Sequence, residues 1–287
     1  MSTNAQNPDA TTPSLESDAS NYSRREFTKA GAAALGGGAL GAGTLGAAAP
    51  AAGQDAGDAG SQATVPAARA SDYHGNITPS NAAALFIDHQ TQLMLGCKSR
   101  DTEEIESNTL AVAHLAEMYD LPVVLTTTGG GAQGPAGPLF PELPKRFPDQ
   151  EVIDRQAHFD AMKDPRFVEA VEATGRQKLI ITGITTDLCV VFPALTAVAM
   201  GYDVYVVADA CASWNEEIDR IALDRIRQGG GIVTNMQGLA AEIQTNLAAE
   251  DMEAAKAKHK ELLEFYGEYV GPTSLMNAFY FLDKSEG

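Results

Sequence analysis

Cys189 follows the polar triplet Thr185-Thr186-Asp187, which interrupts an otherwise apolar stretch over residues 181–201. The apolar run before the triplet suits a strand. The run after it, with Val190, Val191, Ala194, Leu195 and Val198 at helical spacing, suits a helix. A cysteine at that junction stands at a helix N-terminus. Backbone N–H groups and the helix dipole there lower a thiol's pKa and can hold an oxyanion. The competing reading is a core residue, because free cysteines are commonly buried. Two charged residues favour chemistry. Asp88 closes the apolar run 82–87 and could take the thiol proton as a general base. Arg155 closes the short run at Val152-Ile153 and carries a fixed positive charge for the thiolate or for Asp88. Cys211, just past a later apolar run, is a weaker rival nucleophile, and Cys97 reads as structural.

Other chemistries lack their residues. Gly129-Gly130-Gly131 follows a strand-like run, but no GxxxxGK[ST] is present and no GxGxxG opens a helix. The glycines and the Pro-rich segment to Pro148 therefore read as a loop rimming a site. No Gly-x-Ser-x-Gly elbow exists for a serine nucleophile. The histidines are His74, His89, His114, His158 and His259, with no HExxH and no Asp-x-His cluster, so neither a metal nor another cofactor is expected. His114 falls on the polar face of its helix and His259 on a packing stripe. His89 and His158 adjoin the strand ends and are candidates for touching a substrate.

The elements that must position these groups alternate. Strands are expected at 82–87, 122–127, 152–155, 178–183, 204–207 and 232–234, and helices at 102–119, 167–174, after Cys189, and from a cap at Ser213 or Asn215. Short apolar runs without alternation suit strands covered on both faces. The order predicts a three-layer α/β/α, doubly wound, mostly parallel sheet of the Rossmann-like kind. Its site should lie at the carboxyl ends of the strands, with the first strand central and beside the fourth. Asp88, Arg155, the turn at 184–189 and Asp209 are then the first suspects.

Of the 287 residues, the first seventy stand apart. Ser23-Arg24-Arg25-Glu26-Phe27-Thr28-Lys29 precedes an Ala/Gly-rich stretch to Ala49, then small-residue sites near 47–49 and 68–70. That order is a twin-arginine export signal, placing the protein in the periplasm or outside the cell. The stretch is too Gly-rich for a stable membrane span once the signal is removed, although an uncleaved N-terminal anchor is the alternative. The domains expected are 1–70, signal and linker; 71–247, one α/β domain; and 248–287, a C-terminal helical extension with an aromatic tail, suited to packing on its own domain or to a subunit contact. Net charge is −18, and residues 71–287 hold 16 Lys/Arg against 32 Asp/Glu. So acidic a surface argues against nucleic acid and anionic membranes. It would gain from salt, which screens self-repulsion. Three cysteines without a CxxC pair do not suggest a disulfide framework.

Three blocks resemble the isochorismatase-like cysteine hydrolases: Leu85-Phe86-Ile87-Asp88-His89-Gln90, Gly183-Ile184-Thr185-Thr186-Asp187-Leu188-Cys189-Val190, and Asp203-Val204-Tyr205-Val206-Val207-Ala208-Asp209-Ala210. The resemblance covers about residues 80–240. It extends to the YcaC-related subgroup through Gly137-Pro138-Leu139-Phe140-Pro141-Glu142-Leu143 and the run from Cys189 to Leu195. It implies a triad of Asp88, a cation and Cys189. The usual lysine is replaced by Arg155, as in that subgroup, with Lys145 and Lys163 as alternative cations. It implies a cis peptide at Ile184–Thr185, turning the Thr185 N–H toward an oxyanion beside that of Cys189. It implies hydrolysis of a C–N or related bond of a small molecule through a thioester, and a homo-oligomer. An isochorismatase-type vinyl-ether hydrolysis and a non-hydrolytic, redox-reactive cysteine are the alternative functions. Gln90, His158, Phe159 and Trp214 are candidates for lining the pocket.

Overall fold

The computed structural model describes residues 76–155 and 158–271. The segment 1–70 with its paired arginines, His74 and the apolar tail from Leu275 lie outside these residues. Six strands form one sheet: β1 (Ala82–Ile87), β2 (Val123–Thr128), β3 (Val152–Arg155), β4 (Lys178–Ile184), β5 (Asp203–Ala212) and β6 (Ile232–Thr234). Their order is β3-β2-β1-β4-β5-β6, and every paired strand is parallel. The helices are α1 (Thr91–Gly96), α2 (Thr102–Met118), α3 (Glu142–Arg146), α4 (Pro165–Ala173), α5 (Val191–Ala199), α6 (Glu216–Gln228), α7 (Met236–Glu250) and α8 (Met252–Tyr269).

Strand alternation divides the apolar residues between two cores. Ala82, Ala84 and Phe86 of β1 join α2, α7 and α8 on one face, through residues such as Leu115, Leu239 and Phe265. Ala83, Leu85 and Ile87 join α4, α5 and α6 on the other, through Phe167, Ala194 and Ile226. This is the three-layer, doubly wound arrangement that the alternating runs predict. Helix starts follow their caps. The Asn215 side chain accepts from Ile218 N at 2.9 Å, and Asp164 accepts from Arg166 N just before Pro165. No described helix is long and apolar enough to cross a membrane.

The differences from the sequence reading have physical causes. The short helices α1 and α3 and the long α7 were not expected. α1 and α3 have too few residues to show a period. α7 begins at Asn235, whose side chain accepts from Gly238 N at 2.7 Å. β5 runs to Ala212, past the expected strand at 204–207, because Cys211 and Ala212 pair with Gly183 and Ile184 of β4; the Asp209 carboxylate accepts the Met236 N–H at 3.0 and 3.2 Å and so anchors the start of α7. Asp209 is thereby occupied away from the site. His114 is not solvated: it lies edge-on to Phe265 and Tyr269 of α8, with ring centroids 5.8 Å apart in both pairs. α8 covers the face of α2 that looked polar from its own sequence.

The strand order reverses direction between β1 and β4, whose ends meet at Ile87 and Gly183. A crevice opens at such a reversal, at the carboxyl ends of the strands. Gly183 is required there. A Cβ on it would sit 2.7 Å from the Ile87 carbonyl oxygen and 2.9 Å from Val190 Cγ2, so a side chain would drive apart β1, β4 and the turn that follows.

Candidate active site

Asp88 is the first residue beyond β1. Its φ of 56° lies in the left-handed region, which aspartate visits more readily than most residues. Strained backbone of this kind persists only where surroundings enforce it. Here the Asp88 N–H donates to the Thr126 carbonyl at 3.0 Å, and the Asp88 carbonyl accepts from Gln90 N at 2.6 Å. The carboxylate is thus held at the reversal point.

Arg155 ends β3, two strands away from β1. Its side chain crosses β2 to reach Asp88. Nε donates to Thr126 Oγ1 at 2.9 Å, and Nη1 donates to the His158 carbonyl at 2.9 Å. Nη2 donates to Asp88 Oδ1 at 2.5 Å and also to Oδ2. Thr126 donates its own O–H to the Ile153 carbonyl at 2.7 Å, which leaves its oxygen free to accept from Arg155. Arg155 and Asp88 are both fully buried. A guanidinium suits this place because its planar fork serves three partners at once.

Cys189 sits in a π-helical turn, Thr186–Val190, that leads into α5. Such turns recur at functional sites. The Ile184–Thr185 peptide before it is cis. The cysteine is 4% exposed, and the charges of Asp88 and Arg155 both act on its thiol. The sequence reading expected a thiol pKa lowered by the helix N-terminus, and the structure reverses that. Burial pushes the Cys189 thiol well up, and the Asp88 charge pushes it further, while Arg155 and the Thr185 backbone N–H pull it back. Burial also raises the Asp88 carboxyl above its ordinary value, with Arg155 opposing. Both groups are thus raised, and the thiol rests protonated beside the Asp88 carboxyl.

Two acids, buried Asp219 and half-buried Asp187, brace the turn. Thr186 Oγ1 donates to Asp219 Oδ1 at 2.5 Å, from the first turn of α6. Ser213 Oγ donates to Asp187 Oδ1 at 2.5 Å. Arg100 stands behind them, 3.8 Å from Asp219 Oδ2 and donating from Nε to the Cys211 carbonyl at 3.0 Å. The sequence reading missed this brace and Thr126. The polar run Thr126-Thr127-Thr128 at the end of an apolar strand was a visible signal for Thr126. Nothing local marked Asp219, whose acid neighbours on α6 look alike.

The remaining candidates separate. Lys145 is exposed and pairs with Glu142 at 3.5 Å, and Lys163 is exposed at the end of a 3₁₀ turn, so Arg155 is the cation on Asp88. Cys211 is fully buried opposite Gly183 in β5, and burial pushes its thiol up. Cys97 donates to the Leu93 carbonyl at 3.4 Å, and burial pushes its thiol up to about 11. His89 cannot touch a substrate. It is buried between Phe86 and Phe140 and bonded to Thr182 Oγ1 at 2.8 Å, and burial holds it neutral with a pKa lowered to about 3. Gln90 is fully buried. Its amide donates to the carbonyls of Gly137 at 2.6 Å and Thr128 at 3.2 Å and accepts from Thr128 N at 2.9 Å, so it braces the loop and offers no free polar group. His158 and Phe159 have exposed side chains near the guanidinium's outer partner. Trp214 is exposed and lies over Gly96, where a Cβ would come within 2.7 Å of its ring. Among the described residues no three His, Cys, Asp or Glu side chains gather as a metal site.

A family model described as the isochorismatase domain matches residues 82–238. The chain is 41% identical over 164 residues to "Probable hydrolase YcaC" of Escherichia coli, covering 57% of this chain and 78% of that protein. The crystal structure of the Escherichia coli YcaC gene product, described as an octameric hydrolase of unknown specificity, aligns with TM-score 0.63 and 35% identity over 72% of this chain and 98% of that one. YcaC from Pseudomonas aeruginosa, solved with hexane-2,5-diol and covalent acrylamide, aligns with TM-score 0.62 and 32% identity over 74% and 98%.

Proposed function

The chain belongs to the isochorismatase family of hydrolases, and from that premise we propose that it cleaves a C–N, amide-like bond of a small molecule through a thioester on Cys189. The observation that carries this reading is a Cys189 thiol, 4% exposed, set beside a fully buried carboxylate that a fully buried arginine holds in place. Asp88 takes the thiol proton as sulfur attacks the carbonyl carbon. The backbone N–H groups of Thr185 and Cys189 receive the developing oxyanion. The intermediate collapses, the C–N bond breaks, and Asp88 returns the proton to the departing nitrogen. Asp88 then takes a proton from water, which attacks the thioester and releases the acid, and the thiol regains that proton. Arg155 keeps its charge throughout, because a guanidinium does not shuttle protons. The covalent acrylamide in the Pseudomonas aeruginosa relative supports an amide-accepting nucleophilic site. A redox-sensing role is disfavoured, since such cysteines are accessible and of low pKa, whereas Cys189 is 4% exposed with its thiol pushed up.

The test is a panel of small primary amides assayed for ammonia release across pH. Asp88 must be ionised and Cys189 protonated at rest. The Asp88 carboxyl is raised from 3.8, so kcat/KM should fall as pH drops through a midpoint above that value. The thiol is raised from 9.0, so the rate should be flat through neutrality. A rate climbing steadily from pH 7 to 9 would mean that a free thiolate attacks, and would contradict the mechanism.

We also read the protein as exported by the twin-arginine route and as a homo-oligomer, the latter supported by the octameric relative. Replacing Arg24 and Arg25 by lysines should hold the chain in the cytoplasm, read by fractionation. Unchanged export would remove that part of the reading.

A further inference from the structure

Thr185 carries a hydroxyl that the mechanism does not use. The residue is 2% exposed, and Oγ1 is buried without a hydrogen-bond partner. Its neighbours in the turn are all engaged: Thr186 on Asp219, Asp187 on Ser213, and the Thr185 carbonyl accepting from Leu188 N and Val190 N at 3.2 Å each. In a turn so fully paired, an orphan hydroxyl stands out, because an unmade hydrogen bond in the interior is costly. Valine has the same shape and would avoid that cost. Position matters as well. The residues on either side of Cys189, Leu188 and Val190, both donate their N–H to the Thr185 carbonyl, so Thr185 closes the turn that carries the sulfur. The unpaired oxygen therefore belongs to the same tight turn as the thiol.

We propose that Thr185 Oγ1 is a substrate-contacting group that accepts an N–H from the scissile amide, which selects substrates with an unsubstituted amide nitrogen over esters of the same shape. This deepens the reading of Cys189 as an amide-attacking nucleophile and rests on it. The backbone N–H of Thr185 serves the carbonyl oxygen. The side chain of the same residue serves the nitrogen on the other side of the carbonyl carbon. One residue would thus orient both polar ends of the amide, and a site built to pair an N–H rejects the analogue that lacks it.

The experiment measures alkylation of Cys189 by acrylamide and by methyl acrylate, which is nearly isosteric but has no N–H. In each case sulfur adds to the terminal carbon and the α-carbon takes up the thiol proton, so nothing leaves. Rates are normalised to those of a free thiol and followed by intact mass, with the site assigned by peptide mapping. In Thr185→Val the acrylamide rate should fall about 10-fold or more, and the methyl acrylate rate should stay within about twofold. Thr185→Ser should restore the acrylamide rate. The thermal midpoint of Thr185→Val should be equal to or above that of the parent, because an unpaired buried hydroxyl is removed. Equal falls for both probes, or no fall for acrylamide, would overturn the inference. The unmutated protein offers a second test: its acceleration over a free thiol should be at least about 10-fold greater for acrylamide than for methyl acrylate, and equal accelerations would overturn the inference even if the valine variant fails to fold. Labelling by methyl acrylate alone would defeat the Thr185 inference and leave the nucleophile standing. Labelling by neither probe would defeat the nucleophile, and the inference with it.

Discussion

Cys189→Ala should reduce turnover of any amide substrate by roughly a thousandfold or more, while the protein stays folded. The size follows from the chemistry. Without the sulfur no covalent intermediate forms, and Asp88 has no thiol proton to accept. What remains is the oxyanion donors and substrate positioning, which act on a reaction that lacks its nucleophile. Cys189→Ser is the sharper variant. It keeps a donor for the Asp88 carboxylate and almost the same volume, so packing in the core of α4, α5 and α6 is preserved. Its hydroxyl is a far weaker nucleophile at the same proton affinity of Asp88, so turnover should fall nearly as far. Cys97 and Cys211 provide internal controls. Both thiols are buried and pushed up, and alanine at either should leave the rate per folded molecule unchanged. Turnover that survives in Cys189→Ala would mean that water, activated by Asp88, attacks directly.

Arg155→Met should cost more in stability than any other single change at the site. It leaves the Asp88 carboxylate fully buried with no counter-charge, and it strands the oxygen of Thr126 and the carbonyl of His158. Breaking one side of a buried ion pair costs about 3–5 kcal/mol. For a domain of this size that is a fall in thermal midpoint of about 6–20 °C. Arg155→Lys keeps the charge but cannot reach Asp88, Thr126 and His158 together, so an intermediate fall is expected. Pairing Arg155→Met with Asp88→Leu should recover most of the lost midpoint, because the uncompensated charge is gone, while activity stays absent. A midpoint for Arg155→Met within about 2 °C of the parent would mean that Asp88 is already neutral in the folded protein.

The parts of the fold that were legible in the sequence were those with local causes. The run 82–87 is apolar throughout because β1 is central and covered on both faces, and its ending at a single aspartate marked the edge where the candidate site lies. The turn before Cys189 announced itself because three polar residues in a buried element need an explanation. Arg155 could be placed at a strand end, but not its path across β2, since its partners lie 29 and 67 residues away in the chain. The brace on the turn that holds Cys189 was hidden for the same reason: Asp219 and Ser213 meet Thr186 and Asp187 only after β5 and α6 have folded back. The direction of the Cys189 shift was misjudged because a sequence shows a helix start but not its depth. Burial and the neighbouring carboxylate raise the thiol there. His89 shows the same limit. It is adjacent to Asp88 in sequence, yet alternation turns it into the opposite core, where Thr182 satisfies it.

The central claim is a thioester on Cys189, and it can be seen directly. The protein is mixed with an amide that it turns over, quenched in acid within the first turnovers, and analysed by intact and peptide mass. The account predicts a mass increase equal to the acyl group, confined to the peptide holding Cys189, removed by hydroxylamine and missing from Cys189→Ser. Steady release of ammonia with no acyl adduct on that peptide, and with turnover retained in Cys189→Ser, would contradict it.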